Sequence, residues 1–504
     1  MKFYRTVKTI LNTLMFASLI FSSSAVVAQH RGDNLSFQGL TYKDNMSPKA
    51  AAMGGAMTAV SGDLSSLFYN MAGLARLDKF QISVNMGQYG RQWRENQNYY
   101  PDRQFTTLPF YLEGLYIPKP ENSGVWDYLL YKDTLNYMYN LSKLGLDPYD
   151  EAAAQWKRTN SESGLRNISI AYPFFIGERK FVAAASYLRN NINDFDRNDT
   201  YLSPLTVSYD YENDFKRVVN GVDTLNMKWS RYLRQKSGSM NNFVGGMSSE
   251  LFENVMLGIG VNIQKGESDD FMSLIRYGDI HLIDAQKFKF YFTDQSKIVS
   301  GTSKYNSTAF NLSAMIELSK VKFGLKIDLP YTLSREWSYS TVQNGQETNS
   351  NVVSSGTDEV KMPAIYNFGV SFQPVDKFLI SFNYEYAPYS KAEFNFASTD
   401  TTFRNWVNQS TIGFGMEYKM YDFLSLMGGY RAIPEVFIPD GAAIKDKGPI
   451  SNSYNFGLSV HTSLGRVDFA YEYRVMKYYD SYYSNANYNF EANSTFMVGY
   501  TYSF

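Results

Sequence analysis

Cysteine is absent from this 504-residue chain. That excludes disulfides, thiolate metal sites, a cysteine nucleophile and a lipidated N-terminal cysteine. Histidine is scarce, at 3 residues, so a histidine-rich metal cage has no ligands to draw on. An excess of one charge sign is missing as well: 48 Lys and Arg face 49 Asp and Glu, for a formal net charge of −1. A nucleic-acid binder would show a basic excess, so nucleic acid is not an expected partner. Long hydrophobic runs are missing after the first 28 residues. A helix that crosses a bilayer needs about 20 mostly apolar residues, and a mean hydropathy of −0.34 excludes a bundle of them.

Aromatic residues, by contrast, are abundant: Tyr 41, Phe 36 and Trp 6 make up 16% of the chain. A tyrosine-rich, cysteine-free chain of polar average composition fits a transmembrane β-barrel, which hides its apolar residues by alternation.

The N-terminus reads as an export address. Lys2, Arg5 and Lys8 precede a mostly apolar stretch from Ile10 to Val27. Val26 and Ala28 then occupy the small-residue positions of a cleavage site before Gln29, as in a secretory signal peptide over 1–28. Export with no later spanning helix points to the outer membrane of a Gram-negative bacterium, and to outer-membrane lipid and lipopolysaccharide as surroundings.

Alternation is clearest at the C-terminus. Phe496, Val498, Tyr500, Tyr502 and Phe504 share one face, and Met497, Gly499, Thr501 and Ser503 share the other. Phe323, Leu325 and Ile327 alternate with Gly324, Lys326 and Asp328 in the same way. Tight connections are expected near 177–179, 251–254, 319–320, 374–376, 421–422 and 463–465. Between them lie longer stretches at 191–238, 266–301, 338–357, 394–403 and 436–450. Six short turns, one added ascending strand near 80–90 and a last strand at 490–504 predict an all-β membrane protein of about fourteen antiparallel strands. The barrel would run from 80 to 504 with an external loop insert at 91–164. Within that insert, 105–118 looks strand-like and 125–158 looks helical.

Residues 29–79 do not alternate. They are rich in Ala, Gly, Met and Ser. Ser47-Pro48 fits an N-cap with proline in the first turn, and Gly54, Gly55 and Gly62 interrupt the helical pattern. About 40 residues rarely bury enough surface to fold alone. Leu67, Phe68, Leu74 and Leu77 are too apolar for a solvated tail. A hatch inside the barrel lumen satisfies both constraints.

No catalytic constellation appears, and no cofactor or metal is implied. His30, His281 and His461 lie far apart in sequence, whereas nucleophilic catalysis needs a nucleophile and base in contact. Gly54-Gly55 lacks the lysine of a phosphate loop.

Three stretches resemble the FadL-type outer-membrane transporters of hydrophobic compounds, in a Bacteroidota-like form. They are AAAMGGAMTAVSGDLSSLFYNMAGLARL, KMPAIYNFGVSFQPVDKFLISFNYEYAPYSK and IGFGMEYKMYDFLSLMGGYRAIPE. The first resembles the family hatch with its Asn-Pro-Ala motif. Here the motif reads Asn70, Met71, Ala72, Gly73, with Met71 in place of proline. The resemblance implies a fourteen-stranded barrel plugged by a hatch. It also implies passive uptake of hydrophobic small molecules such as long-chain fatty acids, with hatch gating and lateral release into the bilayer through a kink in the third strand. On that strand the small residues Ala183, Ala184, Ala185 and Ser186 are candidates for the opening, or they simply make room for the hatch. Lys326, Arg431 and Arg474 are candidates for pairing with a ligand carboxylate, or for pairing with lumenal acids. Val498, Tyr500, Tyr502 and Phe504 resemble the signal read by the barrel-insertion machinery. An alternative role is a non-transporting barrel subunit of an outer-membrane secretion or protein-assembly complex, with protein partners.

Overall fold

A computed structural model describes residues 46–99, 156–202, 206–207, 218–219, 222–223, 225–284, 287–345, 350–397, 406–439, 447–482 and 485–504. The signal sequence, the expected strand at 105–118 and the expected helix at 125–158 up to its last three residues lie outside the described residues; 156–158 are strand, not helix.

Fourteen strands form a closed antiparallel barrel. They are β1 (Gln81–Tyr99), β2 (Trp156–Ile176), β3 (Arg179–Leu202), β4 (Leu225–Phe252), β5 (Val255–Asp284) and β6 (Lys287–Leu318). β7 comes in two pieces, Val321–Asp328 and Tyr331–Asn344, and so does β8, Ser350–Met362 and Ile365–Val375. The rest are β9 (Phe378–Ala387), β10 (Gln409–Tyr421), β11 (Leu424–Pro434), β12 (Ile450–Thr462), β13 (Gly465–Tyr482) and β14 (Asn485–Ser503). β1 pairs with β2 on one side and with β14 on the other, from Gln81↔Ser503 to Tyr99↔Asn485, so the first and last strands close the sheet into a barrel. Closure matters because an unpaired edge in hydrocarbon leaves backbone groups without partners.

The six short connections fall where the sequence marks them. Gly177, Asn254, Ser319 and Gly465 take the positive φ angles that two-residue hairpins need. Above these turns the outer face is apolar: Ile170, Phe323, Leu325, Phe368 and Phe496 are exposed there while their strand neighbours point inward. This is the lipid-facing band of a membrane barrel.

The strands run far past that band. About 9–11 residues cross a membrane, yet β3 to β6 have 24, 28, 30 and 32 residues. Much of 191–238 and 266–301, expected as loop, is paired strand, and the first loop is shorter than 91–164 because β1 continues to Tyr99 and β2 starts at Trp156. Above the band the outer face meets water, so apolar alternation vanishes while backbone pairing continues.

A seam crosses β7 and β8 at the upper edge of the band. Pairing stops after Asp328↔Ile365 and resumes at Tyr331↔Met362. Pro330 and Pro363 sit in the interruption. Proline gives no ladder donor, so it belongs at such breaks. Each strand changes phase there: Phe323 and Leu325 face out below, whereas Leu333 and Arg335 face in above. Both strands slip together, so their mutual register is preserved while each trades its faces.

Residues 46–77 lie inside the barrel at its short-turn end. Helix α1 (Pro48–Ala52) is capped by Ser47, whose side chain accepts from the Ala50 N–H at 3.2 Å. Helix α2 (Ser66–Tyr69) and a 3₁₀ turn over Met71–Arg76 follow. Ala50, Met53, Met57, Met71 and Leu74 are fully or almost fully buried. The wall admits this plug through glycines. A Cβ at Gly324 would stand 1.9 Å from the Thr58 carbonyl oxygen, and one at Gly429 2.3 Å from the Gly54 nitrogen.

Candidate functional site

Asn70 organises the plug from the inside. It is completely buried. Its Oδ1 accepts from the Ala72 N–H at 3.1 Å, and its Nδ2 donates to the carbonyls of Thr58 at 2.6 Å and of Ala314 on β6 at 3.1 Å. Met71 opens the 3₁₀ turn that Asn70 caps. Proline is favoured at a first helical position because the N–H there has no partner within the helix. Methionine keeps that geometry, and its thioether packs against Gly246 and Gly260. Ala72 donates its N–H to Ser313 Oγ at 3.0 Å, and Gly73 lies where a Cβ would be 2.9 Å from Ser66 Oγ. Gly54 and Gly55 have φ of 60° and 73°, and a Cβ at Gly54 would meet backbone atoms of Phe414 and Tyr430 within 2.8 Å.

Ion pairs tie the plug to the wall near the short turns. Lys49 reaches Glu417 at 3.0 Å, and Asp63 reaches Arg466 at 2.8 Å. Arg76 bridges Glu250 and Glu317, both at 2.7 Å. Burial alone would raise the Asp63 pKa, but the Arg466 and Lys49 charges and the Ser65 hydrogen bonds outweigh it and hold the carboxyl well below the usual carboxylate range. Burial likewise would lower the Lys49 pKa, yet Glu417 and Asp63 leave it raised.

Above the plug lies a cavity of about 270 Å³. Its floor includes Met46, Leu67 and Phe68. One wall is apolar, with Leu333, Met362, Ile365, Tyr389 and Val436; these belong to a buried cluster that also holds Trp406. This wall adjoins the seam of β7 and β8. The lining from β3 to β6 carries Asn190, Asn242, Asn262, Gln264 and Asn311.

The barrel wall beside the cavity opens between β2 and β3. Their backbone pairing runs from Ile176↔Arg179 only to Asn167↔Leu188. Higher up, side chains span the gap. Glu162 accepts from the side-chain amides of Asn191 at 2.6 Å and Asn193 at 3.3 Å. Arg91 donates to the Asn193 carbonyl at 2.6 Å, and Arg166 to the Arg189 carbonyl at 3.0 Å. Arg91, Asn191 and Asn193 line both this gap and the cavity.

Ala183 to Ser186 lie below the gap and are paired with both β2 and β4. Ala184 is buried among Leu64, Leu67 and Met71 of the plug. Lys326 pairs with Asp328 at 2.9 Å, and Arg474 lies 3.9 Å from Glu472. Arg431 is placed apart from the cavity, in a pocket of about 70 Å³ beside Gly54, Gly55 and Glu385. On β14, Val498, Tyr500 and Tyr502 lie on the outward side. The Phe504 N–H donates to the Phe80 carbonyl at 2.9 Å, and its ring lies 5.2 Å from that of Phe80. Sequence reasoning missed the asparagine wall and the β2–β3 gap. Marking amides at inward positions of successive strands would have found the wall; the gap carries no composition signal.

No protein-family model matches the chain, and no curated protein matches it in sequence. Solved structures do. A FadL homologue of Pseudomonas aeruginosa superposes with a TM-score of 0.59 at 12% identity, covering 92% of this chain and 99% of that one. The toluene transporter TodX of P. putida superposes with a TM-score of 0.53 at 11% identity, covering 92% and 99%. A TodX variant described as a monoaromatic hydrocarbon channel gives 0.53 at 13% identity, covering 92% and 100%. The chain therefore has the fold of the FadL-type barrels over about nine-tenths of its length.

Proposed function

We propose that the protein is a passive channel of the bacterial outer membrane for hydrophobic small molecules. The observation that carries this reading is the cavity between the plug and the β2–β3 gap, with its carbon-lined wall of Leu333, Met362, Ile365 and Tyr389. Removing apolar surface from water is favourable by about 25 cal/mol per Å², so such a wall holds a greasy guest. The plug then gates onward passage at the short-turn end. The side route lies along β3, above Ala183 to Ser186, where only side chains join the wall. There a guest leaves for the bilayer without crossing the water beneath the plug. The fold shared with a toluene transporter supports the same reading.

A second reading rests on the long extension of β3 to β6 past the apolar band. It offers surface for protein partners, as a scaffold in an outer-membrane complex would need. Gentle purification from native membranes, with mass spectrometry of all that accompanies the protein, separates the two. Co-purified small hydrophobic molecules without a stoichiometric protein support the channel. Stoichiometric protein partners with no bound small molecule support the scaffold.

A further inference from the structure

The chemistry of the cavity says more about its guest, given the channel reading above. Beside the apolar lining of Leu333 and Ile365, the cavity presents a row of amides. Asn190 is on β3, Asn242 on β4, Asn262 and Gln264 on β5, and Asn311 on β6. Asn242 pairs directly across from Gln264, and the others stand one diagonal step apart in the register. The side-chain oxygens of Asn190, Asn242, Asn262 and Asn311 have no hydrogen-bond partner. Asn242 and Asn311 are nevertheless only 2% and 7% exposed. Folded proteins seldom leave buried polar groups unpaired, and here four such side chains line one cavity.

The charges of the lining point the same way. Arg91, Lys326 and Arg474 are its cations; Asp194, Asp328, Glu435 and Glu491 are its carboxylates. Asp194 is paired behind the lining with the buried Arg234 at 2.8 Å, so four positive charges match four negative ones and the site carries no net positive charge. Lys326 is already held by Asp328, and Arg91 by the Asn193 carbonyl. A guest carboxylate would enter a site with no net positive charge to meet it, and its desolvation would go uncompensated.

We infer that the guest is a neutral amphiphile: an aliphatic chain bearing an uncharged head with hydroxyl or amide groups. The chain lies along Leu333, Met362 and Ile365, and the head meets the amide row. A fatty-acid anion lacks the neutral head, and a plain hydrocarbon leaves the amides unpaired.

Equilibrium dialysis tests this with the full-length protein in lipid nanodiscs, against protein-free nanodiscs, using radiolabelled 1-decanoylglycerol, decanoate and decane at pH 7.5. The expected result is 1-decanoylglycerol binding about tenfold more tightly than either of the others, the worth of roughly one net hydrogen bond to a buried polar group. Asn242→Leu and, separately, Asn262→Leu should erase most of that preference by weakening 1-decanoylglycerol binding while decane binding does not weaken; heat-modifiable mobility confirms that each variant forms a barrel. Equal or tighter binding of decanoate or decane overturns the inference and leaves the channel reading standing. An unchanged preference in both variants also overturns it. Binding of none of the three removes the channel reading and this inference with it.

Discussion

Asp63 of the plug and Arg466 of β13 form an ion pair at 2.8 Å, with the carboxylate side chain only 5% exposed. Arg466 also holds Asp468 at 2.9 Å, and Lys49 adds a second positive charge 3.8 Å from Asp63. Removing one partner of a buried pair costs about 3–5 kcal/mol, because the other charge is left uncompensated. Arg466→Gln is therefore expected to loosen the plug without opening the barrel. The chain has no cysteine, so an Ala51→Cys substitution, at a site almost fully buried in the docked plug, gives a unique reporter thiol. Maleimide labelling should be slow in the otherwise unaltered protein and much faster with Arg466→Gln. Equal rates would show that the pair does not latch the plug.

The same pair fixes a pH window. The Asp63 pKa is depressed on docking. Its contribution to stability is therefore fully present above the unfolded carboxylate value, about 3.9, and is lost as pH falls through the lower folded value. Labelling of the Ala51→Cys reporter, corrected for the intrinsic reactivity of the thiol, should be flat from pH 8 to 5. A rise between pH 7 and 5 would assign the latch to some other group.

Gly324 tests the fit between wall and plug. A Cβ there would stand 1.9 Å from the Thr58 carbonyl oxygen, a backbone atom that cannot swing aside. Gly324→Val should displace the plug while heat-modifiable barrel remains. Labelling of the Ala51→Cys reporter should then rise by at least about tenfold, as for a cost above 1.4 kcal/mol. A Gly324→Val variant whose reporter thiol stays protected would show that the plug yields at no measurable cost.

Glu162 spans the β2–β3 gap through Asn191 and Asn193. Glu162→Ala removes both bridges and touches no backbone pairing. Uptake of a hydrophobic tracer should increase by a factor of up to about 10–100, the net worth of one charged hydrogen bond at about 1.5–3 kcal/mol. Unchanged uptake would mean that the gap is not on the route.

How far the sequence reveals this molecule follows from which physical constraints act on each part. In the apolar band every second residue must face lipid, so Phe323, Leu325, Phe368 and Phe496 announce strands, and the turn residues between them number fourteen strands in all. Above the band no such rule holds, and the long upper halves of β3 to β6 read as loop. The seam at Pro330 and Pro363 shows in sequence as two prolines, but their facing positions depend on register. Lys326 and Asp328 are legible as lumenal from alternation, and their pairing follows from proximity along one face. The amide row draws its residues from four successive strands, so only the closed barrel brings it together.

The central claim is passage of hydrophobic molecules through the cavity. Ala309 lines that cavity on β6, and Ala309→Trp fills much of its space without touching the plug's ion pairs. The decisive measurement is uptake of a radiolabelled hydrophobic compound by cells that lack other channels of this fold, carrying the unaltered protein, the Ala309→Trp variant or neither. The account predicts uptake with the unaltered protein and a fall to background with Ala309→Trp at equal levels of folded barrel. Equal uptake through both proteins, or no uptake above cells carrying neither, would contradict it.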